Sequence, residues 1–161
     1  MKFFVFICAV LAFSHSHSQV DGEIVSRHSC SPDEVKNCVV NEARITPCKE
    51  ALKDPPQPCK FQKKKTASIE VDFTPEFVTE GMHVQMYWPN GFMDLPLAGM
   101  ETNACKTTTC PSVSGVKQTY RYDLEIATYF PLSTYDVKWV LKGNDEETQQ
   151  CCFIYRIKIT K

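Results

Sequence analysis

Histidine is scarce in this sequence. Of four residues, His15 and His17 fall in a leader-like N-terminal stretch, which leaves His28 and His83. His28 lies near the start of the remaining chain and His83 takes an outward position in an alternating segment, so neither has the partners a general base needs. Also missing are a Gly-x-Ser-x-Gly elbow, a His-Glu-x-x-His zinc motif and a glycine-rich phosphate loop. No two cysteines have the two-residue spacing of common zinc sites. Glu146-Glu147 is a carboxylate pair, but it follows the turn Gly143-Asn144-Asp145 and reads as a solvated loop. These absences point to a protein that is not an enzyme and needs neither cofactor nor metal.

An excess of positive charge is lacking too. Lys and Arg (18) nearly balance Asp and Glu (19), which argues against nucleic acid as a partner. After Phe13 no apolar run approaches the ~20 residues of a spanning helix, so a soluble protein is expected. No Asn-x-Ser/Thr sequon occurs, since Asn41, Asn90, Asn103 and Asn144 all fail the pattern. Lysosomal sorting through mannose phosphate is therefore less favoured than plain secretion. No window carries a convincing amphipathic helix, and no internal repeat is evident.

What is present begins with a leader. Met1-Lys2, the apolar run Phe3–Phe13 and the small residues Ser14, Ser16 and Ser18 have the layout of a secretory signal over residues 1–18. A single domain over 19–161 follows. Cys8 leaves with the leader, and nine cysteines become eight. An even set in a short exported domain reads as a disulfide framework. Eight cysteines allow on the order of a hundred complete pairings, so spacing alone cannot choose among them.

Period-two alternation then dominates. Ile69, Val71 and Phe73 alternate with Glu70 and Asp72, and Met82, Val84, Met86 and Trp88 with His83, Gln85 and Tyr87. Pro89-Asn90-Gly91 is a hairpin signal, with the return through Phe92 to Leu97. Further strands are read at Tyr120–Ile126, Asp136–Leu141 and Phe153–Ile159, and a plausible first strand at Val39–Ile45. Lys49–Lys65, holding Pro55, Pro56 and Pro58, reads as a loop. Six or seven short strands favour an all-β sandwich. The inward positions hold Trp88, Tyr120, Tyr122, Trp139, Phe153 and Tyr155, with Phe130 nearby. Periodicity alone fits either a filled aromatic core or the wall of a ligand cavity.

A resemblance rests on Ile45-Thr46-Pro47-Cys48, Pro58-Cys59-Lys60-Phe61, Ile69–Thr74, Asn103-Ala104-Cys105 to Cys110-Pro111, and Tyr120–Leu141 with Phe130-Pro131 and Trp139. With the final cysteine strand, these resemble the ML (MD-related lipid-recognition) family. The likeness is to the secreted Niemann–Pick C (type two) sterol-transfer proteins of arthropods and the group-two dust-mite allergens. It implies an immunoglobulin-like two-sheet β-sandwich, stapled by disulfides, with a lipid cavity between the sheets. The family's lining falls on Leu97, Ile126, Phe130, Trp139 and Phe153. With the inward Tyr120, Tyr122 and Tyr155 these form the expected lipid-binding set. The resemblance also implies Cys30–Cys152, Cys48–Cys59 and Cys105–Cys110, and leaves Cys38 and Cys151 as extra residues that could form a fourth bridge.

The function so implied is secreted, extracellular binding and transfer of a sterol. A fatty-acid or semiochemical carrier is the alternative, and a ligand-free, disulfide-rich interaction protein is a third reading of another class. Lys60, Lys63, Lys64 and Lys65 are candidates for transient contact with anionic membranes, against a solvated hairpin. A monomer is expected.

Overall fold

A computed structural model describes residues 22–161; the expected leader at 1–18 lies outside the described residues. The described chain forms ten strands: β1 (Glu23–Ile24), β2 (Arg27–Ser29), β3 (Cys38–Thr46), β4 (Cys59–Gln62), β5 (Thr66–Pro75), β6 (His83–Pro89), β7 (Asp94–Pro96), β8 (Gln118–Glu125), β9 (Thr134–Lys142) and β10 (Gln150–Thr160). Its helical content among the described residues is three short 3₁₀ turns. One sheet runs β1-β3-β5-β8. The other runs β2-β10-β9-β6-β7, with β4 joined in parallel to β10. All other strand pairs are antiparallel.

Alternation puts one face of each sheet inside. Ala67, Ile69, Val71 and Phe73 of β5 meet Val84 and Met86 of β6, Trp139 and Leu141 of β9, and Phe153 and Tyr155 of β10, all buried in one core. On β3 the inward residues Cys38 and Ala43 are an odd number of positions apart. A bulge between Val40 and Glu42 resets the phase and lets both face the core.

The adjacent cysteines of β10 use the same alternation. Cys151 is fully buried in the main core and bonds Cys38 of the opposite sheet. Cys152 faces away, beside Val140, and bonds Cys30 just past β2 in its own sheet. Cys48–Cys59 joins the end of β3 to β4 and so also spans the sheets, while Cys105–Cys110 closes a short loop. The two inter-sheet staples are thus Cys38–Cys151 and Cys48–Cys59.

The outer face of the first sheet is polar. Arg44 donates to both Asp72 oxygens at 2.9 and 3.1 Å, to Glu70 and to Glu42. Thr119 and Lys117 also donate to Asp72, at 2.7 and 3.2 Å. The Arg44 guanidinium first, then the Thr119 and Lys117 donors, hold the Asp72 carboxyl well below the usual carboxylate range, against the opposing effect of burial.

Candidate functional site: an apolar cavity at one end of the sandwich

The sheets part where β8 and β10 run out, and a cavity of ≈210 Å³ lies between them. Leu124 and Ile126 form the wall from the first sheet; Val137, Ile157 and Ile159 form the wall from the second. Met86 and Tyr155 make the floor. Strand register sets Trp139 opposite both Met86 and Phe153, one inward pair beyond Val137 and Tyr155, so the floor rests on packed rings.

Two connections build the rim. The β6–β7 hairpin and the segment after it contribute Trp88, Leu95, Pro96, Leu97 and Ala98. The β8–β9 connection contributes Tyr129, Phe130 and Pro131, with Tyr135 at the start of β9. Backbone and side-chain bonds hold both in place. Leu97 N–H donates to the Met86 carbonyl at 2.8 Å, and the Gln85 amide donates to the Leu97 carbonyl at 3.1 Å. The Tyr135 hydroxyl donates to the Pro131 carbonyl at 2.9 Å, and Trp88 meets Tyr135 edge to face at 4.4 Å. Lys63 Nζ donates to the Thr128 carbonyl at 2.7 Å, which ties the β4–β5 turn to the same rim.

Inside, polarity is sparse. The buried Tyr155 hydroxyl donates to Met86 Sδ at 3.8 Å, a weak acceptor. Burial pushes this phenol's pKa far above its ordinary value. At the mouth Asp136 is neutralised by Arg156, at 2.7 and 3.0 Å.

The expected lipid-binding residues divide by depth. Leu97, Ile126, Phe130 and Tyr155 are brought together around the cavity. Tyr120, Trp139 and Phe153 are fully buried beneath it, with the Trp139 ring 5.7 Å from Tyr120 and 5.3 Å from Phe153. Tyr122 is half-buried against the same core. Trp88, an inward position by alternation, is 43% exposed because β6 runs past the cavity at that point. Leu124, Met86, Ile157 and Ile159 belong to the inward series of their strands; their common end of the sandwich is the signal that groups them. Tyr135 and Val137 of β9 join them. Lys60 lies on β4 beside Glu50, at 3.6 Å, while Lys64 and Lys65 are exposed at the β4–β5 turn. His28 pairs within β2 and His83 sits at the start of β6, at the opposite end from the cavity. No group of His, Cys, Asp or Glu among the described residues could hold a metal ion.

Comparison with known proteins agrees with this geometry. The family model described as ML domain matches residues 25–159. The chain is 36% identical over 135 residues to the MD-2-related lipid-recognition protein of Manduca sexta, covering 83% of this chain and 84% of that one. It is 25% identical over 114 residues to the NPC intracellular cholesterol transporter 2 of Canis lupus familiaris, covering 70% and 72%. The crystal structure of a Niemann-Pick type C2 protein from Japanese carpenter ant superimposes with a TM-score of 0.70 at 16% identity, covering 84% of this chain and 99% of that one.

Proposed function

The chain belongs to the ML-domain family of lipid-recognition proteins, and from that premise we propose that it is a secreted, monomeric carrier that binds a sterol and transfers it without chemical change. The observation that carries this reading is an apolar cavity open at one end between the sheets, with a rim of aromatic and aliphatic side chains. Each Å² of apolar ligand surface taken from water contributes about 25 cal/mol. Association and ordering oppose this by at least several kcal/mol, so the ligand must bury most of its length. The MD-2-related relative is named for lipid recognition and the canine relative for cholesterol, and both support a lipid cargo. Four disulfides fit an oxidising, extracellular compartment, consistent with removal of residues 1–18 on export.

A second reading is favoured by size. At ≈210 Å³ the cavity lies below the roughly 300–1,000 Å³ of common small-molecule sites. A single acyl chain fits such a slot with less movement of the walls than a fused-ring sterol, which would need Leu124 and Ile126 to draw away from Ile157 and Ile159. Lipid extraction and mass spectrometry of the purified protein, followed by titration with fluorescent sterol and fluorescent fatty acid, decide between them. A lipid-free protein that binds neither probe overturns both.

A further inference from the structure

Resting on the carrier reading, we propose that Lys138, on the face of β9 turned away from the cavity, is a specificity-determining positioning residue: its bond to Asp94 holds the β6–β7 hairpin at the mouth at the width of a single acyl chain, and that bond must break before a fused-ring sterol can enter.

Lys138 is an unusual residue for its position. Strand register sets it beside Tyr87 and Ile154 on the outer face of its sheet, on the same side as the apolar group of Cys30, Val140 and Cys152, and it is only 7% exposed. An ammonium buried there costs free energy unless it is paired. Two carboxylates supply the pairing, Glu34 and Asp94, the latter at 2.6 Å. Burial works against the charge, and the Asp94 and Glu34 bonds outweigh it, raising the Lys138 pKa above its ordinary value.

The two partners differ in what stands behind them. Glu34 ends the 3₁₀ turn Pro32–Glu34, which is fixed to β10. The Cys30–Cys152 bridge precedes it, the Gln150 amide donates to the Glu34 carbonyl at 2.6 Å, and Lys36 pairs with Gln150 through the backbone. Asp94 opens β7, an exposed edge strand of 3 residues. Its pairs with β6 are Pro89–Asp94, Trp88–Leu95 and Tyr87–Pro96, and the proline in each outer pair has no N–H to give. Among the described residues, the Asp94 bond is the hydrogen bond that joins β7 to a strand other than β6. A fixed carboxylate on one side and a loosely paired strand on the other make Lys138 the link between sheet and hairpin.

The consequence falls on the cavity. Leu95, Pro96 and Leu97 follow Asp94 directly and form one lip of the mouth, while Tyr129, Phe130 and Pro131 supply another. An acyl chain enters with the lips as they stand. A fused-ring sterol has a wider cross-section and binds the state in which the hairpin has swung outward. Its apparent affinity is therefore lowered by the small fraction of molecules in that state, and an acyl chain bears no such penalty. Breaking the bond raises the open fraction and so acts on sterol alone.

The test titrates the full chain and its variants with a fluorescent sterol and a fluorescent fatty acid, and takes the ratio of the two dissociation constants. Lys138→Met removes the charge and keeps an apolar stem; it should shift the ratio toward sterol about tenfold. Asp94→Asn leaves Lys138 paired with Glu34 and should shift it the same way by about threefold. Lys138→Arg, which keeps the charge, should stay close to the wild-type ratio. Trp88, on β6 against Tyr135, should become more accessible to acrylamide quenching in Lys138→Met and Asp94→Asn, while the buried Trp139 stays shielded. Asp72→Asn, which breaks a charge pair on the other sheet, should change neither readout. A ratio that shifts as far in Asp72→Asn overturns the proposal, since general loosening would then be the cause. Wild type that binds either probe, with a ratio unmoved in both Lys138→Met and Asp94→Asn, sinks this inference and leaves the carrier reading standing. Wild type that binds neither probe sinks the carrier reading itself.

Discussion

The two ends of the sandwich solve the same packing problem differently. At the end near Cys38–Cys151, the gap between the sheets is filled by rings: Phe73, Tyr120 and Phe153 each pack against Trp139, and Ser112 ties the approaching loops through the Phe77 carbonyl and the Thr79 N–H, both at 3.0 Å. At the other end the facing side chains are aliphatic, from Leu124 and Ile126 to Ile157 and Ile159, and they leave ≈210 Å³ between them. Each end has one staple across the sheets, Cys38–Cys151 at the first and Cys48–Cys59 at the second. The filled end is thus closed by packed rings, and the open end has room for a guest.

The largest effect should come from unfastening the filled end. Replacing Cys30, Cys38, Cys151 and Cys152 together by alanine opens the long loops, of 122 and 113 residues, that these two nested bridges close, and should cost at least about 4–5 kcal/mol in the chain-entropy account. The same change at Cys105 and Cys110, separated by 5 residues, should cost about 2 kcal/mol. Denaturant unfolding of both variants checks the ratio; equal losses would show that the long bridges are not the main clamp.

Next in size is the contrast between a ring that fills and a ring that guards. Trp139→Ala removes a fully buried side chain and should cost roughly 3–5 kcal/mol of folding free energy. Phe130→Ala, at the half-buried rim, should cost about 1 kcal/mol or less of stability while weakening binding of a fluorescent lipid roughly tenfold. Unchanged affinity in Phe130→Ala would remove that residue from the binding surface.

This division marks the boundary of what the sequence can tell. Alternation in Ile69–Phe73, Tyr120–Ile126 and Phe153–Ile159 assigns a face to each residue, and those faces are the ones observed. It cannot assign depth along the sandwich. Trp139 and Ile126 both point inward, yet one plugs the core and the other lines the cavity, because depth follows from inter-strand register. Short elements are hidden as well. Cys59–Gln62 follows a proline-rich segment and becomes strand β4 only by parallel pairing with β10, a contact remote in sequence. Phe92 and Met93 sit inside a recognised turn signal, and their exposure follows from how far the hairpin extends past the mouth.

Acid should act on the filled half through Asp72. Its folded pKa lies below the unfolded value of about 3.9. The stabilisation is therefore complete above that value and is lost as pH falls below it toward the folded pKa. Asp72→Asn should cost about 2 kcal/mol at neutral pH and flatten the acid limb of a stability–pH profile. A variant whose acid limb matches wild type would assign that limb to other carboxylates.

The smallest effect on stability is expected at the floor that separates the two ends. Tyr155→Phe deletes a buried hydroxyl whose partner is the Met86 thioether at 3.8 Å. A weak acceptor returns little of what it costs to bury that hydroxyl, so unfolding free energy should change by no more than about 1 kcal/mol, in either direction. The value of this variant lies in what it says about the guest. If the ligand enters with its hydrocarbon end first, the Tyr155 ring is touched by methylene groups alone, and removing its oxygen should alter affinity less than about threefold. A loss as large as that of Phe130→Ala would mean that an oxygen of the ligand reaches Tyr155. The polar end would then lie at the floor and the chain at the rim, reversing the direction in which the open end receives its cargo.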